Sequence, residues 1–284
     1  MFGEVETVAI TLSATGKDTL GLPEFVDYIE TTFSEINQDS LIEMAPTFAK
    51  LSRNRSFLGE MICSQLKNLS TYQSNNPYSA QSLNLGMRSN KFYIRANVWL
   101  PQRRLHTTNQ KGEAQLYSYE LAHDHNFDFL TVGYLGPGYE TDIYEYDRST
   151  VSGFVGERVK LDFLETTSLP EGKLMIYRSC KDVHVQRYPK DFSISLNVLA
   201  PSVRPIPDQY VFDIKSSAIS SVLRSSIIGQ KTLIKAASRL CEKDEVIDVL
   251  AYIAKRHSSG GIREAARLAL IEVKADPSVP GDIY

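Results

Sequence analysis

From Leu22 to Leu69 apolar residues recur at three- and four-residue spacings, the pattern of helices that bury one face. Phe25, Val26, Ile29, Phe33 and Ile36 mark the first such face, opened by Leu22 and Pro23. A second run covers Ser40 to Leu51 with Pro46 inside it, which removes one helix hydrogen bond. A third covers Ser56 to Leu69. Ser70 to Ser79 is polar and rich in turn residues, and predicts a linker. Between Lys91 and Ala200 the pattern changes to short runs of aromatic and β-branched residues separated by Gly, Pro, Asn and Asp. They are Lys91–Leu100, Ala114–Leu121, Asp128–Tyr134, Tyr139–Tyr146, Val159–Leu164, Lys173–Arg178, Val183–Tyr188 and Phe192–Leu199. Such a series predicts an all-β sandwich or barrel. After Pro201, Pro205 and Pro207 the helical spacing returns over Ala218–Leu223, Thr232–Cys241, Asp244–Lys255 and Ile262–Val273. Val246, Val249, Leu250 and Ile253 mark one face there. These helices read either as a short HEAT-like array or as a plain helical bundle beside the strands. The expected class is α+β, with an N-terminal helical region (1–88), a β-barrel (89–204) and a C-terminal helical region (205–284).

Composition narrows the function classes. The 284 residues carry a net charge of −3 and no Lys/Arg block, so no nucleic-acid partner is expected. Fifteen tyrosines and 12 phenylalanines are far too many for a chain that buries nothing. No run approaches the about 20 apolar residues of a membrane span. Met1 to Thr7 shows neither the basic nor the apolar region of a signal peptide. Three separated cysteines, Cys63, Cys180 and Cys241, read as reduced thiols, and the expected address is the cytoplasm. No GxSxG supports a serine hydrolase, and Gly133 to Gly138 lacks the spacing of a phosphate loop and reads as a turn.

The chain has five histidines, His106, His123, His125, His184 and His257. His123 and His125 stand at i and i+2, so on a strand both imidazoles converge from one face. That parity extends back to Leu121, Tyr119 and Tyr117. Imidazole is a common ligand of first-row metals, and a converging pair lacks only a third ligand. His106 sits in a polar loop and His257 follows a helix end, where a cation is favoured; both read as structural or solvated.

The run His123 to Gly136 resembles the first motif of the cupin superfamily, in which HxH precedes a strand that ends at a glycine turn. Leu169 to Gly172 carries the PxG of the second motif, but the strict spacing puts its histidine at Met175. His184, within Val183 to Gln186 and ahead of Phe192 to Val198, resembles the looser second motif of thiol-dioxygenase-type cupins. The two motifs cover His123 to Asn197. The Glu that many cupins place four or five residues after the second histidine is replaced by Phe129 and Leu130. The resemblance therefore implies a cupin-type barrel (double-stranded β-helix) with a three-histidine site, His123, His125 and His184, and Fe(II) as the cofactor. Mn, Ni and Zn remain open. Asp128 is a candidate fourth ligand or a neighbour of the ligands. The chain lacks the cysteine that some thiol dioxygenases cross-link to a tyrosine.

Tyr117 and Tyr119 share the histidine parity and are candidate pocket lining. Arg178 is a candidate to close the pocket. Tyr93 to Arg95 resembles the Tyr-x-Arg that precedes HxH in thiol-dioxygenase-type cupins, where the Arg binds a substrate carboxylate. On parity alone, however, Ile94, Ala96, Val98 and Leu100 form the better core face of that strand, which turns Arg95 toward solvent or the helices. The implied function is a mononuclear non-haem Fe(II)-dependent oxygenase acting with O₂ on a small, amino-acid-like or thiol-bearing substrate. The rivals are a metal-dependent isomerase, a non-catalytic ligand-binding cupin sensor, and a scaffold built on the C-terminal helices. The resemblance also allows a homodimer.

Overall fold

The structure, a computed structural model, describes residues 10–67, 73, 81–88, 91–102, 118–201, 207–224, 227–241, 243–257 and 260–275. The chain is α+β and divides into two compact units, 1–146 with 161–203, and 147–160 with 204–284.

The first unit opens with strand β1 (Ile10–Leu12) and helices α1 (Leu22–Thr32), α2 (Gln38–Arg53) and α3 (Ser56–Leu66). Asn37 starts α2: its side chain accepts from the Ser40 amide at 3.0 Å, and Ser40 Oγ accepts from the Asn37 amide at 2.7 Å. This reciprocal cap satisfies amides that a helix start leaves orphaned. Pro46 lies inside α2 without ending it. Leu41, Met44, Phe48 and Leu51 on that helix are completely buried, and their burial outweighs one lost hydrogen bond.

The strands that follow are β2 (Ser82–Arg88), β3 (Phe92–Trp99), β4 (Ala122–His123), β5 (Phe129–Leu135), β6 (Glu140–Glu145), β7 (Asp162–Ser168), β8 (Leu174–Tyr177), β9 (Asp182–Gln186) and β10 (Ser193–Leu199). One antiparallel sheet runs β1-β8-β5-β10-β3-β2, and the other, within this unit, runs β4-β9-β6-β7. From β3 to β6, and again from β7 to β10, successive strands alternate between the sheets, which is the double-stranded β-helix of jelly-roll and cupin barrels. Between β5 and β6 the chain turns at Gly138 (φ +75°), where a Cβ would lie 1.9 Å from the Leu169 carbonyl oxygen. Only glycine fits there.

The first sheet is buried on both faces, with a different chemistry on each. Ile94, Ala96, Leu130, Val132, Leu174, Ile176, Leu196 and Val198 join the helices in one apolar core. The alternate positions, Tyr93, Trp99, Phe129, Met175, Tyr177 and Leu199, join Tyr119, Tyr139 and Ile143 in a second cluster inside the barrel. Period two separates the two faces cleanly. The apolar parity of β3 therefore packs under the helices, and the parity of Arg95 faces the barrel interior.

Two strands of this unit, β1 and β2, fall within the region 1–88 that the sequence pattern renders as helical. The predicted strand Ala114–Leu121 lies mostly outside the described residues. At its described end Tyr119 makes an isolated bridge with Gln186.

The second unit contains strands β11 (Gln209–Asp213) and β12 (Ala218–Arg224), then helices α4 (Ile227–Leu240), α5 (Lys243–Arg256) and α6 (Gly260–Ala275). The expected helix over Ala218–Leu223 is instead a strand, antiparallel to β11. Asp213 makes the hairpin turn by accepting from the Lys215 amide at 3.0 Å and from Ser216 Oγ at 2.7 Å, as aspartate does in tight turns. Residues 156–159 hydrogen-bond along β12 at Ser217 and Ile219. Ile234, Val246, Leu250, Ile262, Ala266, Ala269 and Val273 form the helical core. Val249, expected on the buried face of α5, is 52% exposed. Among the described residues no helix is long and apolar enough to cross a membrane.

Candidate metal centre

The antiparallel pairing of β4 with β9 sets His123 directly opposite His184. His125 lies two residues beyond His123, just past the strand end, and its carbonyl accepts from the Cys180 amide at 2.7 Å. All three side chains are buried. The Nε2 atom of His184 lies 3.0 Å from Nε2 of His125 and 3.2 Å from Nε2 of His123. Among the described residues this is the group of histidine, cysteine and carboxylate side chains with the convergence to hold a metal ion.

The donor set fits a divalent transition metal. Two imidazole nitrogens bound about 2.1 Å from one ion at a right angle lie about 3.0 Å apart, which is the spacing found. The protons point the same way. His123 Nδ1 is 2.9 Å from the Leu121 carbonyl, and a carbonyl only accepts, so Nδ1 carries the proton and Nε2 presents a bare lone pair. His184 Nδ1 is buried without a hydrogen-bond partner, which leaves Nε2 as the only engaged end of that ring. Three buried imidazole nitrogens aimed at one point form a donor set that one shared cation would satisfy through their lone pairs.

The surroundings favour the neutral form of His123 and His184. Burial pushes the pKa of His123 down against the help of the Leu121 carbonyl, and the Arg95 charge pushes the same way. His184 is held well below the ordinary histidine range by burial first, then by His123 and Arg95. Neutral imidazole is the form that binds metal. Phe127 and Phe129 approach His125, each with ring centroids 4.9 Å away, and Tyr177 stands 4.7 Å from His184. Phe129 in turn stacks on Tyr177 at 4.8 Å. Burial raises the pKa of Tyr139 and, more strongly, of Tyr177, so both hydroxyls remain protonated. Asp124, between the two histidines, points to the opposite face and accepts from the Tyr146 hydroxyl at 2.6 Å.

The other expected site residues divide. Arg95 is buried on the interior face of β3, near enough for its charge to act on His123, His184 and Tyr139. Tyr119 is buried and stacks on Tyr188 at 4.0 Å. Its hydroxyl accepts from the Leu100 amide at 2.9 Å and donates to the Leu100 carbonyl at 3.1 Å. Tyr117 and His106 lie outside the described residues. Asp128 stands apart from the histidine group, and its carboxylate accepts from the Ser179 amide at 2.6 Å. Burial raises its pKa against the pull of that amide and of Arg178.

Arg178 does not offer its charge to a pocket. Its guanidinium donates to Asp182 through Nε and Nη2 and to Glu145 at 2.7 Å. Burial opposes that charge, but the two carboxylates hold the Arg178 pKa above its ordinary value. Asp182 and Tyr177 were not singled out in the sequence. Tyr177 does carry a signal there, because it shares the strand parity of Met175, opposite to the apolar Leu174 and Ile176.

No family model matches the chain, and no curated protein does. Solved structures resemble it at low identity. One is a hydroquinone 1,2-dioxygenase from Sphingomonas sp. with 4-hydroxybenzoate bound, at 9% identity over 45% of this chain and 70% of that one, with a TM-score of 0.30. Another is a sugar phosphate isomerase from a cupin superfamily, from Silicibacter pomeroyi, at 11% identity over 51% and 75%, with a TM-score of 0.26. A DMSP lyase from Ruegeria pomeroyi matches at 9% identity over 41% of each chain, with a TM-score of 0.25. The chain spans 41% of that lyase and 52% of the chain in a second DMSP lyase structure. Function has to be argued from the site and not from these likenesses.

Proposed function

We propose that this protein is a metal-dependent enzyme of the cupin type, and that it works as a mononuclear non-haem Fe(II) oxygenase. The observation that carries the reading is the convergence of three buried Nε2 atoms, two of the contacts being 3.0 and 3.2 Å. His123, His125 and His184 would hold the ion. Iron(II) bound there would supply the redox chemistry of an oxygenase, and the three-nitrogen donor set would leave room for substrate. The chain's own residues do the rest. The Leu121 carbonyl fixes the tautomer of His123. Phe127, Phe129 and Tyr177 wall the histidines with apolar rings and keep water from them. Arg95, on the interior face, binds the carboxylate of a small amino-acid-like or thiol-bearing substrate. Tyr139 and Tyr177, kept protonated, supply hydroxyl donors inside the barrel.

The test is metal content after anaerobic Fe(II) loading, on the wild type and on His184→Ala, followed by oxygen uptake with amino acids and thiols. Near-stoichiometric iron lost in the variant, with substrate-dependent oxygen uptake in the wild type, supports the reading. A wild type that holds no metal after loading overturns it. Bound metal without oxygen uptake for any substrate moves the protein to Lewis-acid chemistry on the same site.

A further inference from the structure

The turn between β8 and β9 is fastened to the His125 segment at two successive amides. Ser179 N–H donates to the Asp128 carboxylate at 2.6 Å, and Cys180 N–H donates to the His125 carbonyl at 2.7 Å. The same turn runs into β9, where His184 follows Asp182 by two residues. At that end the Arg178 amide donates to Asp182 Oδ2 at 2.7 Å, while Tyr146 N–H donates to the Lys181 carbonyl at 3.1 Å. Cys180 itself has φ +53°, a left-handed conformation that a non-glycine residue keeps only when its surroundings hold it. The Asp128 main chain is pinned as well, since its carbonyl accepts from the Ala200 amide at 2.9 Å. Asp128 thus links a fixed point in the barrel to the turn that delivers His184.

We infer that Asp128 is a positioning residue that sets the spacing between His125 and His184, acting as a hydrogen-bond acceptor for Ser179 N–H and not as a ligand or a charge. This rests on the metal-centre reading given above. The carboxylate does not join the histidine group, so its route to the metal donors is the turn. What it supplies is one acceptor oxygen at one place. The Asn side chain presents a carbonyl oxygen at that same place without the charge, whereas Glu keeps the charge and moves the oxygen outward by one methylene.

Co(II) is the probe, because its visible absorption reports coordination geometry without turnover. Co(II) affinity and spectrum are measured on full-length wild type, Asp128→Asn, Asp128→Glu and Asp128→Ala, with thermal midpoints alongside. A partner hydrogen-bonded directly to a metal ligand is worth about 10- to 100-fold in metal affinity, and Asp128, which acts through the turn, is expected at the low end of that range, about 10-fold. That loss, with an altered Co(II) spectrum, is expected for Asp128→Ala and Asp128→Glu. Asp128→Asn is expected to bind like the wild type and to keep its spectrum. The contrast between Asn and Glu stands even where the Ala variant fails to fold. Glu binding like the wild type while Asn fails overturns the positioning role in favour of charge or direct ligation. All variants binding like the wild type overturns it as well. A wild type that binds no Co(II) overturns the metal-centre reading itself, an outcome distinct from both.

Discussion

His123 and His184 face each other across the β4–β9 ladder with their Nε2 atoms 3.2 Å apart. No water fits between the two nitrogens, and His123 directs its ring N–H to the Leu121 carbonyl, leaving Nε2 as the acceptor or ligand end. In the metal-free protein the two rings share a hydrogen bond, and a bound cation would take the place of its proton between the lone pairs.

Metal binding therefore stabilises the fold. At a free metal concentration about 100 times Kd, the gain is about 2.7 kcal/mol. For a unit of this size that corresponds to a rise in thermal midpoint of about 5–10 °C. Calorimetry with and without Fe(II), Co(II) or Zn(II) measures it. In His184→Ala the rise should vanish, because two imidazoles remain where three converged. An equal rise in the variant would place the binding elsewhere.

The pH dependence follows from the buried imidazoles. Burial holds His123 and His184 below their ordinary pKa, so from the lowered folded-state pKa up to about 6.5 the unfolded chain binds more protons than the folded one. Stability is then fully present above about pH 6.5 and is lost as pH falls below it, by up to about 1.4 kcal/mol per pH unit for each histidine. Urea midpoints of the metal-free protein from pH 8 to pH 5 should decline over the acid half of that range. Metal affinity falls in the same direction, since protons compete for the same lone pairs. In His184→Gln the acid decline of the midpoint should be shallower, and an unchanged slope would assign the effect to other groups.

The network around Arg178 makes a stability prediction independent of metal. Asp182 is almost completely buried and carries most of the guanidinium's hydrogen bonds. Asp182→Ala leaves that charge with Glu145 alone, and breaking a buried pair from one side costs about 3–5 kcal/mol. Urea denaturation of the variant should show a loss in that range. The double variant Arg178→Met with Asp182→Leu, which removes both charges, should recover a large part of it. A single-variant loss below about 1 kcal/mol would mean that the pair behaves like one at the surface.

The histidine site was legible in the sequence because its signal is local. His123 and His125 share a face by strand parity, and His184 is the only histidine beyond them before the C-terminal helices. The orientation of β3 was not legible from parity, because its sheet is buried on both faces. Ile94 and Ala96 form the more apolar face and do bury more completely, but what they bury against is α1–α3, far along the chain. A pattern that separates two faces cannot say which of two cores each one meets. The same gap hid the role of Arg178: strand parity placed it, but its partners Asp182 and Glu145 come from two other strands, the start of β9 and the end of β6. Ala218–Leu223 failed for another reason. Its six residues fit a short helix or a short strand equally, and the turn at Asp213 and the pairing with β11 decide it.

Arg95 offers the sharpest test of what the barrel takes in. It is buried on the interior face, where its charge adds to the effect of burial in lowering the pKa of both His123 and His184. A carboxylate bound there exchanges water for a charge-assisted pair, worth about 1.5–3 kcal/mol. Arg95→Gln should then raise KM for a carboxylate-bearing substrate about 10- to 100-fold. Co(II) should bind the variant at least as tightly as the wild type, because Arg95 is not among the ligands and the charge that repels protons from His123 and His184 also repels a divalent cation. Steady-state kinetics with a carboxylate substrate and its amide, together with Co(II) titrations, separate substrate reading from loss of the metal site. A KM increase that is equal for the acid and the amide would mean that Arg95 holds the barrel wall and does not read substrate charge.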